Sequence, residues 1–433
     1  FCMRRSRYSG CLMEIDMCQR ILILGTGITG KSVARFLYQQ GHYLIGADNS
    51  LESLISVDHL HDRLLMGASE FPENIDLVIR SPGIKPYHPW VEQAVSLKIP
   101  VVTDIQVALK TPEFQRYPSF GITGSNGKTT TTLFLTHLLN TLGIPAIAMG
   151  NIGLPILDHM GQPGVRVVEI SSFQLATQEE HIPALSGSVF LNFSRNHLDY
   201  HRNLDAYFDA KLRIQKCLRQ DKTFWVWEEC SLGNSYQIYS EEIEEILDKG
   251  DALKPIYLHD RDNYCAAYAL ANEVGWVSPE GFLKAIRTFE KPAHRLEYLG
   301  KKDGVHYIND SKATTVTAVE KALMAVGKDV IVILGGKDKG GDFPALASVL
   351  SQTTKHVIAM GECRQTIADA LSEKIPLTLS KDLQEAVSIA QTIAQEGDTV
   401  LLSPGCASFD QFQSFKERGA YFKLLIREMQ AVR

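Results

Sequence analysis

The chain has 433 residues, of which 45% are hydrophobic and 22% are charged, and its formal net charge at pH 7 is −6. This length is enough for about three domains with their own cores, and the small acidic excess gives no sign of a nucleic-acid-binding surface. No apolar run approaches the roughly 20 residues of a membrane-spanning helix. The eight cysteines form no CxxC pair, which is typical of a reduced cytoplasmic protein.

The first 17 residues contain three arginines, but no apolar segment follows them. They are therefore not predicted to be a secretory signal. We interpret residues 1–17 as an extension or a misassigned start, with Met13 and Met17 as alternative first residues, and predict no function for them.

From residue 20 onward, short apolar runs alternate with amphipathic stretches, a pattern typical of parallel α/β architecture. The runs are apolar on both faces, as buried parallel strands are. The predicted strands cover residues 20–24, 43–47, 76–80, 100–102, 118–122, 165–170, 187–192, 305–309, 329–334, 355–359 and 398–402. The predicted helices cover residues 31–40, 129–142, 204–217, 262–274, 316–326, 382–395 and 411–430. Breaks near 105–117 and 290–293 predict three domains, at 18–107, 108–291 and 292–433.

The most specific motif is the sequence TGSNGKT at 123–129, directly after a predicted strand. In such a loop, backbone N–H groups face phosphate oxygens, and the following helix adds its positive N-terminal end. Lys128 is predicted to reach the terminal phosphates, and the Thr129 hydroxyl to bind Mg²⁺. The strict P-loop pattern fails only because residue 122 is isoleucine instead of glycine. The candidate ATP-binding residues here are Gly124, Ser125, Asn126, Gly127, Lys128, Thr129 and Thr130.

A second glycine-rich turn, GTGITG at 25–30, lies between a predicted strand and a helix, and Asp48 ends the next strand. This arrangement resembles a dinucleotide-binding fingerprint, in which the carboxylate binds a ribose. On these residues alone an NAD-dependent dehydrogenase is one candidate function. A tight turn beside another ligand is the alternative.

Polar residues also follow two strands of the middle segment, where Glu169 ends one strand and His197 follows the next. Such strand ends face the ligand crevice of an α/β sheet, so the two side chains could complete the shell of a metal that holds phosphate. Alternatively, His197 and His201, four residues apart around Asp199, suggest the metal site of a hydrolase. The spacing of Lys211 alone predicts an ordinary solvated helix lysine.

Three polar loops follow predicted strands in the last third of the chain, at 309–314, 335–343 and 403–410. Because the carboxyl ends of parallel strands meet at one sheet edge, we expect these loops to cluster. Cationic and hydroxyl side chains there form a candidate anion site that suits a small dicarboxylate. Its members are Lys312, Thr314, Lys339 and Ser408.

Taken together, these segments resemble the Mur ligases, ATP-dependent enzymes that form amide bonds in peptidoglycan precursor synthesis. The resemblance runs from about residue 20 to the C-terminus and rests on six segments in order. They are SPGI at 81–84, TGSNGKT at 123–129, GNIGLP at 150–155, EISSFQL at 169–175, NDSKAT at 309–314 and SPGCASFDQF at 403–412. The first and last favour the family member that adds D-glutamate, and a ligase of the family that adds another amino acid is the alternative.

The resemblance implies a Rossmann-like N-terminal domain that holds the UDP end of the substrate instead of NAD. It implies a central P-loop-type domain that binds ATP, and a Rossmann-like C-terminal domain that receives the amino acid. The implied reaction adds D-glutamate to UDP-N-acetylmuramoyl-L-alanine through an acyl phosphate. The implied enzyme is cytoplasmic and monomeric, acts on small molecules, and serves cell-wall synthesis and thereby cell shape and division.

The resemblance also implies roles for individual residues. Catalysis is assigned to Lys128, His197 and Lys211. Two Mg²⁺ ions are assigned to Thr129, Glu169, His197 and Lys211, with Lys211 carrying CO₂ as a carbamate. The adenosine contacts are assigned to Asn263, Arg295 and Asp310. The UDP-substrate contacts are assigned to Ile28, Thr29, Asp48, Asn49, Ser81 and Asn151, although Asn49 stands where the family often has a basic residue. D-Glutamate is assigned to Lys312, Thr314, Lys339, Ser408 and Phe415.

Other classes explain less of the chain. A dehydrogenase accounts only for residues 20–48, and a P-loop ATPase acting as a switch accounts only for residues 118–130. The folate polyglutamate relative shares the phosphate loop, but its substrate needs no UDP site. The Asp-Asn-Pro-Arg run typical of the diaminopimelate- or lysine-adding Mur ligase does not occur in the sequence.

Overall fold

The computed structural model describes residues 19–67, 70–194, 197, 200–220, 222–226, 236, 237, 246, 258–338 and 340–431. The chain divides into two compact units, residues 1–254 with 262–288 and residues 255–261 with 289–433. Within the described residues, no helix is both long enough and apolar enough to span a bilayer. The first unit contains two parallel sheets and the second contains one mixed sheet. The α/β fold class is therefore confirmed, while the boundaries at 107/108 and 291/292 stay predictions.

The first sheet has five parallel strands. They are β1 (Arg20–Leu24), β2 (Tyr43–Asp48), β3 (Arg63–Met66), β4 (Leu77–Arg80) and β5 (Val101–Val102). Its helices are α1 (Ile28–Tyr38), α2 (Leu51–Ile55), α3 (Pro89–Ser96) and α4 (Asp104–Leu109). In the strand order β3-β2-β1-β4-β5, the chain builds the sheet outward in one direction from β1 to β3 and then in the other direction from β4 to β5. Loops after these two strands therefore border the crevice in which such sheets bind ligands.

The second sheet has six parallel strands. They are β6 (Ser119–Thr123), β7 (Ala146–Gly150), β8 (Val165–Glu169), β9 (Gly187–Phe190), β10 (Phe224–Val226) and β11 (Tyr236–Gln237). The nearby helices are α5 (Pro112–Gln115), α6 (Lys128–Thr141), α7 (Ser172–Leu175), α8 (Leu204–Leu212), α9 (Leu258–Glu273) and α10 (Pro279–Thr288). The order is β11-β10-β9-β6-β8-β7. The loops after β6, β8 and β9 consequently lie side by side.

The third sheet has six strands with one antiparallel edge. They are β12 (Glu297–Lys302), β13 (Val305–Asn309), β14 (Val330–Gly335), β15 (Thr354–Met360), β16 (Leu377–Ser380) and β17 (Thr399–Leu402). Its helices are α11 (Val316–Val326), α12 (Ala347–Thr353), α13 (Arg364–Leu371), α14 (Leu383–Ile393) and α15 (Phe415–Ala431). The order is β12-β13-β17-β14-β15-β16, and β12 is antiparallel to β13. Because β17 lies between β13 and β14, the three polar loops after these strands meet at one edge, as predicted.

All eleven predicted strands are present in the structure. Their continuous apolar runs arise because both sheet faces are covered, so that the adjacent Val332 and Ile333 enter two different cores. The predicted helix 204–217 is α-helical only to Leu212 and continues as the 3₁₀ turn Arg213–Cys217. The helix after the phosphate loop begins at Lys128, one residue earlier than predicted.

Candidate active site

The phosphate loop joins β6 to α6 through two glycines in left-handed backbone geometry. Gly124 has φ +155° and Gly127 has φ +82°, values that other residues adopt only with strain. A Cβ atom on Gly127 would also lie 2.2 Å from Oδ1 of Asn263. The first turn of α6 reads Lys-Thr-Thr-Thr. The first turn of this helix therefore contains no acidic residue, and its positive N-terminal end suits an anion such as phosphate.

The loop keeps its shape through Asn192, the second residue after β9. The backbone N–H groups of Ser125 and Asn126 donate to the main-chain and side-chain oxygens of Asn192, both at 2.9 Å. The Asn192 amide donates back to the Asn126 carbonyl at 3.2 Å. The Ser125 hydroxyl lies 3.1 Å from that of Tyr207. These bonds fix the loop independently of a nucleotide, and the sequence analysis did not single out Asn192 or Tyr207 for that role.

Two lysines converge on one carbonyl of this loop. Lys128 Nζ and Lys211 Nζ both donate to the Gly124 carbonyl at 2.7 Å. Lys211 is only 1% exposed, and its Nζ lies 4.6 Å from the centre of the Tyr207 ring. Burial, followed by the nearby charge of Lys128, lowers the pKa of Lys211 well below its usual value. The prediction of a solvated lysine from spacing is therefore wrong, because the lysine faces the phosphate loop.

Three residues predicted from distant parts of the sequence meet at the end of β8. The Thr129 hydroxyl donates to Glu169 Oε2 at 2.7 Å, and the Asn151 amide donates to Glu169 Oε1 at 2.9 Å. Glu169 is 2% exposed. In the described part of the chain, no group of three or more His, Cys, Asp or Glu side chains is arranged to hold a metal. A hydroxyl and a single carboxylate beside a phosphate loop still fit a magnesium ion that takes its other ligands from phosphate and water.

The two histidines of this region have different surroundings. His197 has φ +56°, and its ring centre lies 4.8 Å from that of Phe173. His201 is 5% exposed, and its Nε2 lies 3.1 Å from the Ser172 hydroxyl. His201 therefore has a structural hydrogen bond, which does not support a shared hydrolase metal with His197. Asp199, the third member of that alternative, lies outside the described residues.

The first glycine turn gathers the predicted UDP-substrate residues at the ends of β1, β2 and β4. Asp48 Oδ2 accepts hydrogen bonds from the backbone N–H of Thr26 at 2.7 Å and from its hydroxyl at 3.2 Å. The Ser81 hydroxyl donates to the Gly25 carbonyl at 2.7 Å. Ile28 is 74% exposed, and Asn49 is also exposed, whereas Thr29 and Asp48 are half-buried. Asp48 thus holds the turn, and the side chains beside it remain accessible to a ligand.

The predicted adenosine contacts fall in both units. In the first unit, Asn263 is 4% exposed, accepts from the Thr131 hydroxyl at 3.2 Å and abuts the phosphate loop. In the second unit, Asp310 accepts from the Ser403 hydroxyl at 2.9 Å and from the backbone N–H of Leu296 at 3.2 Å. Burial raises the pKa of Asp310 to about 7. The positive charge of Arg295 acts in the opposite direction and lowers the pKa of Asp310.

The predicted amino-acid site of the second unit is formed by three loops that touch one another. The backbone N–H of Lys337 donates to the Ala407 carbonyl, and that of Gly405 to the Ala313 carbonyl, both at 2.9 Å. Lys312 Nζ lies 4.0 Å from the centre of the Phe415 ring. Ser408 is 2% exposed and Thr314 is half-buried. Lys339 lies outside the described residues, so its predicted role stays a prediction.

A residue that the sequence analysis did not single out holds two of these loops together. Arg418 is 0% exposed and donates to the Ser311 hydroxyl at 3.0 Å and to the Ser311 carbonyl at 2.9 Å. It also donates to the carbonyls of Cys406 and Ala407, at 3.1 and 3.3 Å. The sequence does contain a sign that Arg418 is buried. It lies in α15 four residues before the buried Phe422, so that an arginine occupies the apolar face of the helix.

Comparison with known proteins covers each of the three sheets. Residues 19–103 match the N-terminal domain of MurD-like Mur ligases, residues 122–251 the Mur ligase middle domain, and residues 294–406 the glutamate ligase domain of Mur ligases. The UDP-N-acetylmuramoylalanine–D-glutamate ligase of Chlamydia felis is 61% identical over 415 residues, which are 96% of this chain and 99% of that protein. The ligase of the same name from Chlamydia trachomatis serovar L2b is 51% identical over 408 residues, 94% of this chain and 98% of that protein.

Solved structures share the architecture at low sequence identity. A pseudomurein peptide ligase type C from Methanothermus fervidus has a TM-score of 0.56 at 17% identity, covering 95% of this chain and 100% of that one. The UDP-N-acetylmuramate-alanine ligase of Thermotoga maritima has a TM-score of 0.54 at 16% identity, covering 96% and 100%. These likenesses establish the three-domain fold.

Proposed function

The chain belongs to the Mur ligase family, and from this premise we propose that it joins D-glutamate to UDP-N-acetylmuramoyl-L-alanine with the conversion of ATP to ADP and phosphate. The observation that carries the proposal is the similarity to D-glutamate ligases over nearly the whole chain. The convergence of Lys128, Thr129 and Glu169 at one phosphate loop supports the ATP-dependent part of the reaction.

The chemistry follows from the poor reactivity of a carboxylate toward an amine. The alanyl carboxylate of the UDP substrate attacks the γ-phosphorus of ATP, which forms an acyl phosphate and releases ADP. The free amine of D-glutamate attacks the acyl carbon, and the tetrahedral intermediate expels phosphate as the amide forms. Lys128 would offset the repulsion between carboxylate and triphosphate, a role of positioning and electrostatic stabilisation.

Magnesium fits the residues at the end of β8, where hard oxygen donors stand beside the phosphate loop. Thr129 and Glu169 would hold one ion, and His197 would contribute to a second. When bound there, magnesium supplies the charge neutralisation that phosphoryl transfer needs. The Asn151 amide would keep the Glu169 carboxylate oriented toward the hydroxyl of Thr129 and would also contact the muramoyl part of the substrate.

We assign to Lys211 a carbamate formed with CO₂. The lysine nitrogen attacks the carbon of CO₂ and loses a proton, so that a cation is replaced by an anion able to ligate a metal. Only the neutral amine reacts, and the burial of Lys211 next to Lys128 favours that neutral form. The support is therefore a buried lysine whose amine donates to a carbonyl of the phosphate loop and lies over the Tyr207 ring.

The three substrate sites are also proposed from the membership of the chain in the Mur ligase family. The UDP end would bind along Ile28, Thr29, Asp48, Asn49 and Ser81, and adenosine would contact Asn263, Arg295 and Asp310. D-Glutamate would bind among Lys312, Thr314, Lys339, Ser408 and Phe415. We further propose that the enzyme is a monomer that works in the cytoplasm. The support for that compartment is the cysteine pattern of the sequence, in which no CxxC pair occurs.

The direct test is phosphate release from ATP with UDP-N-acetylmuramoyl-L-alanine, Mg²⁺ and bicarbonate present. Three reactions are compared, with D-glutamate, with L-glutamate and with no amino acid. Release that requires D-glutamate, with a product of the matching mass, is the expected result. Release without an amino acid would indicate an uncoupled ATPase, and release with another amino acid would favour a different member of the family.

The carbamate has its own test in Lys211→Ala. We expect activity to fall by at least about a hundredfold, and short carboxylates added to the assay to restore part of it. Lys216→Ala is the matched control, because Lys216 exposes 39% of its side chain and pairs with Glu179. Full activity of Lys211→Ala would refute the metal-binding role of Lys211.

A further inference from the structure

A buried arginine joins the first sheet of the chain to the second. Arg80 is the last residue of β4 and is 0% exposed. One of its terminal nitrogens donates to the Ile84 carbonyl and to the Tyr200 hydroxyl. The other donates to the Phe173 carbonyl at 2.7 Å. A single guanidinium thus binds three loops that are far apart in sequence.

Each of these three loops belongs to the proposed active site. Ile84 ends the segment SPGI, whose Ser81 is a candidate contact for the UDP substrate. Phe173 lies in the segment after Glu169, and Tyr200 is three residues beyond His197. Arg80 itself is too deeply buried to reach a substrate. Any effect that it has on the reaction must therefore pass through the loops that it binds.

The side chains around Arg80 form a wall behind His197. The rings of Phe173 and Tyr200 are stacked, with centroids 3.9 Å apart and an interplanar angle of 26°. The rings of Phe173 and His197 meet edge to face with centroids 4.8 Å apart, and the backbone N–H of Tyr200 donates to the His197 carbonyl at 3.1 Å. The Tyr200 hydroxyl donates to the Ile84 carbonyl at 2.9 Å. The imidazole and the SPGI segment are therefore held through the same two aromatic residues.

A second layer of hydrogen bonds keeps this wall in place. Gln174 donates to both carboxylate oxygens of Asp104, at 3.2 and 3.1 Å, and the Thr103 hydroxyl donates to the Gln174 carbonyl at 3.1 Å. Burial lowers the pKa of Arg80, and within the described residues its guanidinium donates to two carbonyls and one phenol. A buried charge with neutral acceptors is costly compared with an apolar side chain. The arrangement is thus better suited to fixing geometry than to gaining stability.

We propose that Arg80 is a positioning residue, which aligns the SPGI segment with the wall of Phe173 and Tyr200 behind His197. The inference rests on the proposed function, because the two aligned elements are the candidate site of the UDP substrate and a candidate metal ligand. Their alignment sets where the substrate carboxylate lies relative to the phosphate loop. Displacements of about 1 Å in such geometry cost on the order of a hundredfold in rate.

The chain offers a matched control in Arg166. It is also 0% exposed and lies in β8, but near the start of that strand, away from Glu169. Its guanidinium donates to four backbone carbonyls, those of Glu113, Phe114, Met160 and Gln162. Arg166→Met removes a buried guanidinium of equal size without touching the candidate site. It therefore reports the general cost of losing such a group.

The test compares Arg80→Met, Tyr200→Phe and Arg166→Met in the D-glutamate-dependent assay, at a temperature where each variant is folded. For Arg80→Met we expect kcat/KM for the UDP substrate to fall by about 10- to 100-fold, while KM for D-glutamate stays within about twofold. Tyr200→Phe removes only a hydroxyl, so it keeps the proposal testable if Arg80→Met does not fold. Arg166→Met should lose stability and keep the kcat/KM of the wild type.

Hydrogen exchange supplies a readout that does not depend on the reaction. The reporters are the amides of Ile84, bonded to Ser81, and of Gln174, bonded to the Ser171 hydroxyl. Both should lose protection together in Arg80→Met and keep it in Arg166→Met. Independent exchange of the two amides, or equal kinetics of the two arginine variants, would overturn the proposal. An inactive wild type would overturn the proposed function instead, and the exchange data would still decide whether Arg80 links the loops.

Discussion

Replacing Lys211 by methionine should produce an inactive protein that is more stable than the wild type. The substitution removes a buried amine and keeps an unbranched side chain of similar length. It orphans no acceptor, because the Gly124 carbonyl still receives a hydrogen bond from Lys128 at 2.7 Å. A stability gain with loss of activity is the behaviour expected of a group retained for chemistry.

The stability difference between Lys211→Met and the wild type should change with pH in a defined direction. Burial and the charge of Lys128 lower the pKa of Lys211 in the folded protein, whereas the unfolded chain keeps a value near 10.4. Between the two values the unfolded state binds more protons, so the stability of the wild type rises as the pH rises. The slope contributed by one such group is about 1.4 kcal/mol per pH unit. Lys211→Met lacks this contribution, so its advantage is largest at low pH and shrinks as the pH approaches 10.4.

Urea unfolding followed by tryptophan fluorescence measures this difference. All four tryptophans of the chain, at 90, 225, 227 and 276, fall within the residue ranges of the first unit. The signal therefore reports the unit that contains Lys211. Buffers must be free of CO₂, since a carbamate would change the charge of the group. The pH at which the two curves begin to converge marks the folded pKa of Lys211.

Lys216→Met is the control, because Lys216 is partly exposed and bridges to Glu179 at 3.0 Å. Its pH dependence should match that of the wild type. Parallel curves for wild type and Lys211→Met between pH 7 and pH 10 would refute the argument, since they would mean that the buried amine costs nothing. Retained ligase activity in Lys211→Met would refute its place in the reaction.

The remaining predictions concern three other sites. Gly127→Ala should weaken ATP binding by at least about 2 kcal/mol in a nucleotide titration, because it forces a Cβ against Asn263 in left-handed backbone. Burial raises the pKa of Asp104 to about 6, above its unfolded value, so wild-type stability should rise as the pH falls from 7 to 5. Asp104→Asn should lose that dependence, which amounts to about 1.3 kcal/mol between pH 7 and pH 5 in unfolding experiments. The Sγ atoms of Cys363 and Cys406 lie 3.2 Å apart, so peroxide should form an intrachain disulfide there, which peptide mass mapping detects as the loss of two hydrogens.

Each of these three predictions has a control variant. Gly143→Ala imposes similar backbone strain at φ +78°, but nothing lies within 4 Å of the new Cβ, so ATP affinity should be unchanged. Asp158→Asn alters an exposed carboxylate that pairs with Arg35 and should leave the pH dependence of the first unit intact. Cys363→Ser should abolish the mass change. Equal behaviour of test and control would contradict the corresponding argument.

The parts of the fold that were predictable are those with a local signal. Buried parallel strands such as β14 can be recognised in the sequence as continuous apolar runs, because both of their faces are covered. The edge strand β12, with the sequence EYLGKK, has no such run and was missed, since only one side of it is paired. The phosphate loop was predictable because its glycines serve a backbone conformation that other residues avoid.

Periodicity and short motifs in the amino-acid sequence predict the α/β class, the order of the three sheets and most of the candidate site residues. The surroundings of each of these side chains follow only from the packing of the folded chain. Lys211 has the spacing of a surface lysine, yet the packing of α8 places it on the Gly124 carbonyl. The partners of Arg80 come from residues 84, 173 and 200. Burial and long-range contacts of this kind set charge and orientation, and neither is encoded in the neighbouring residues.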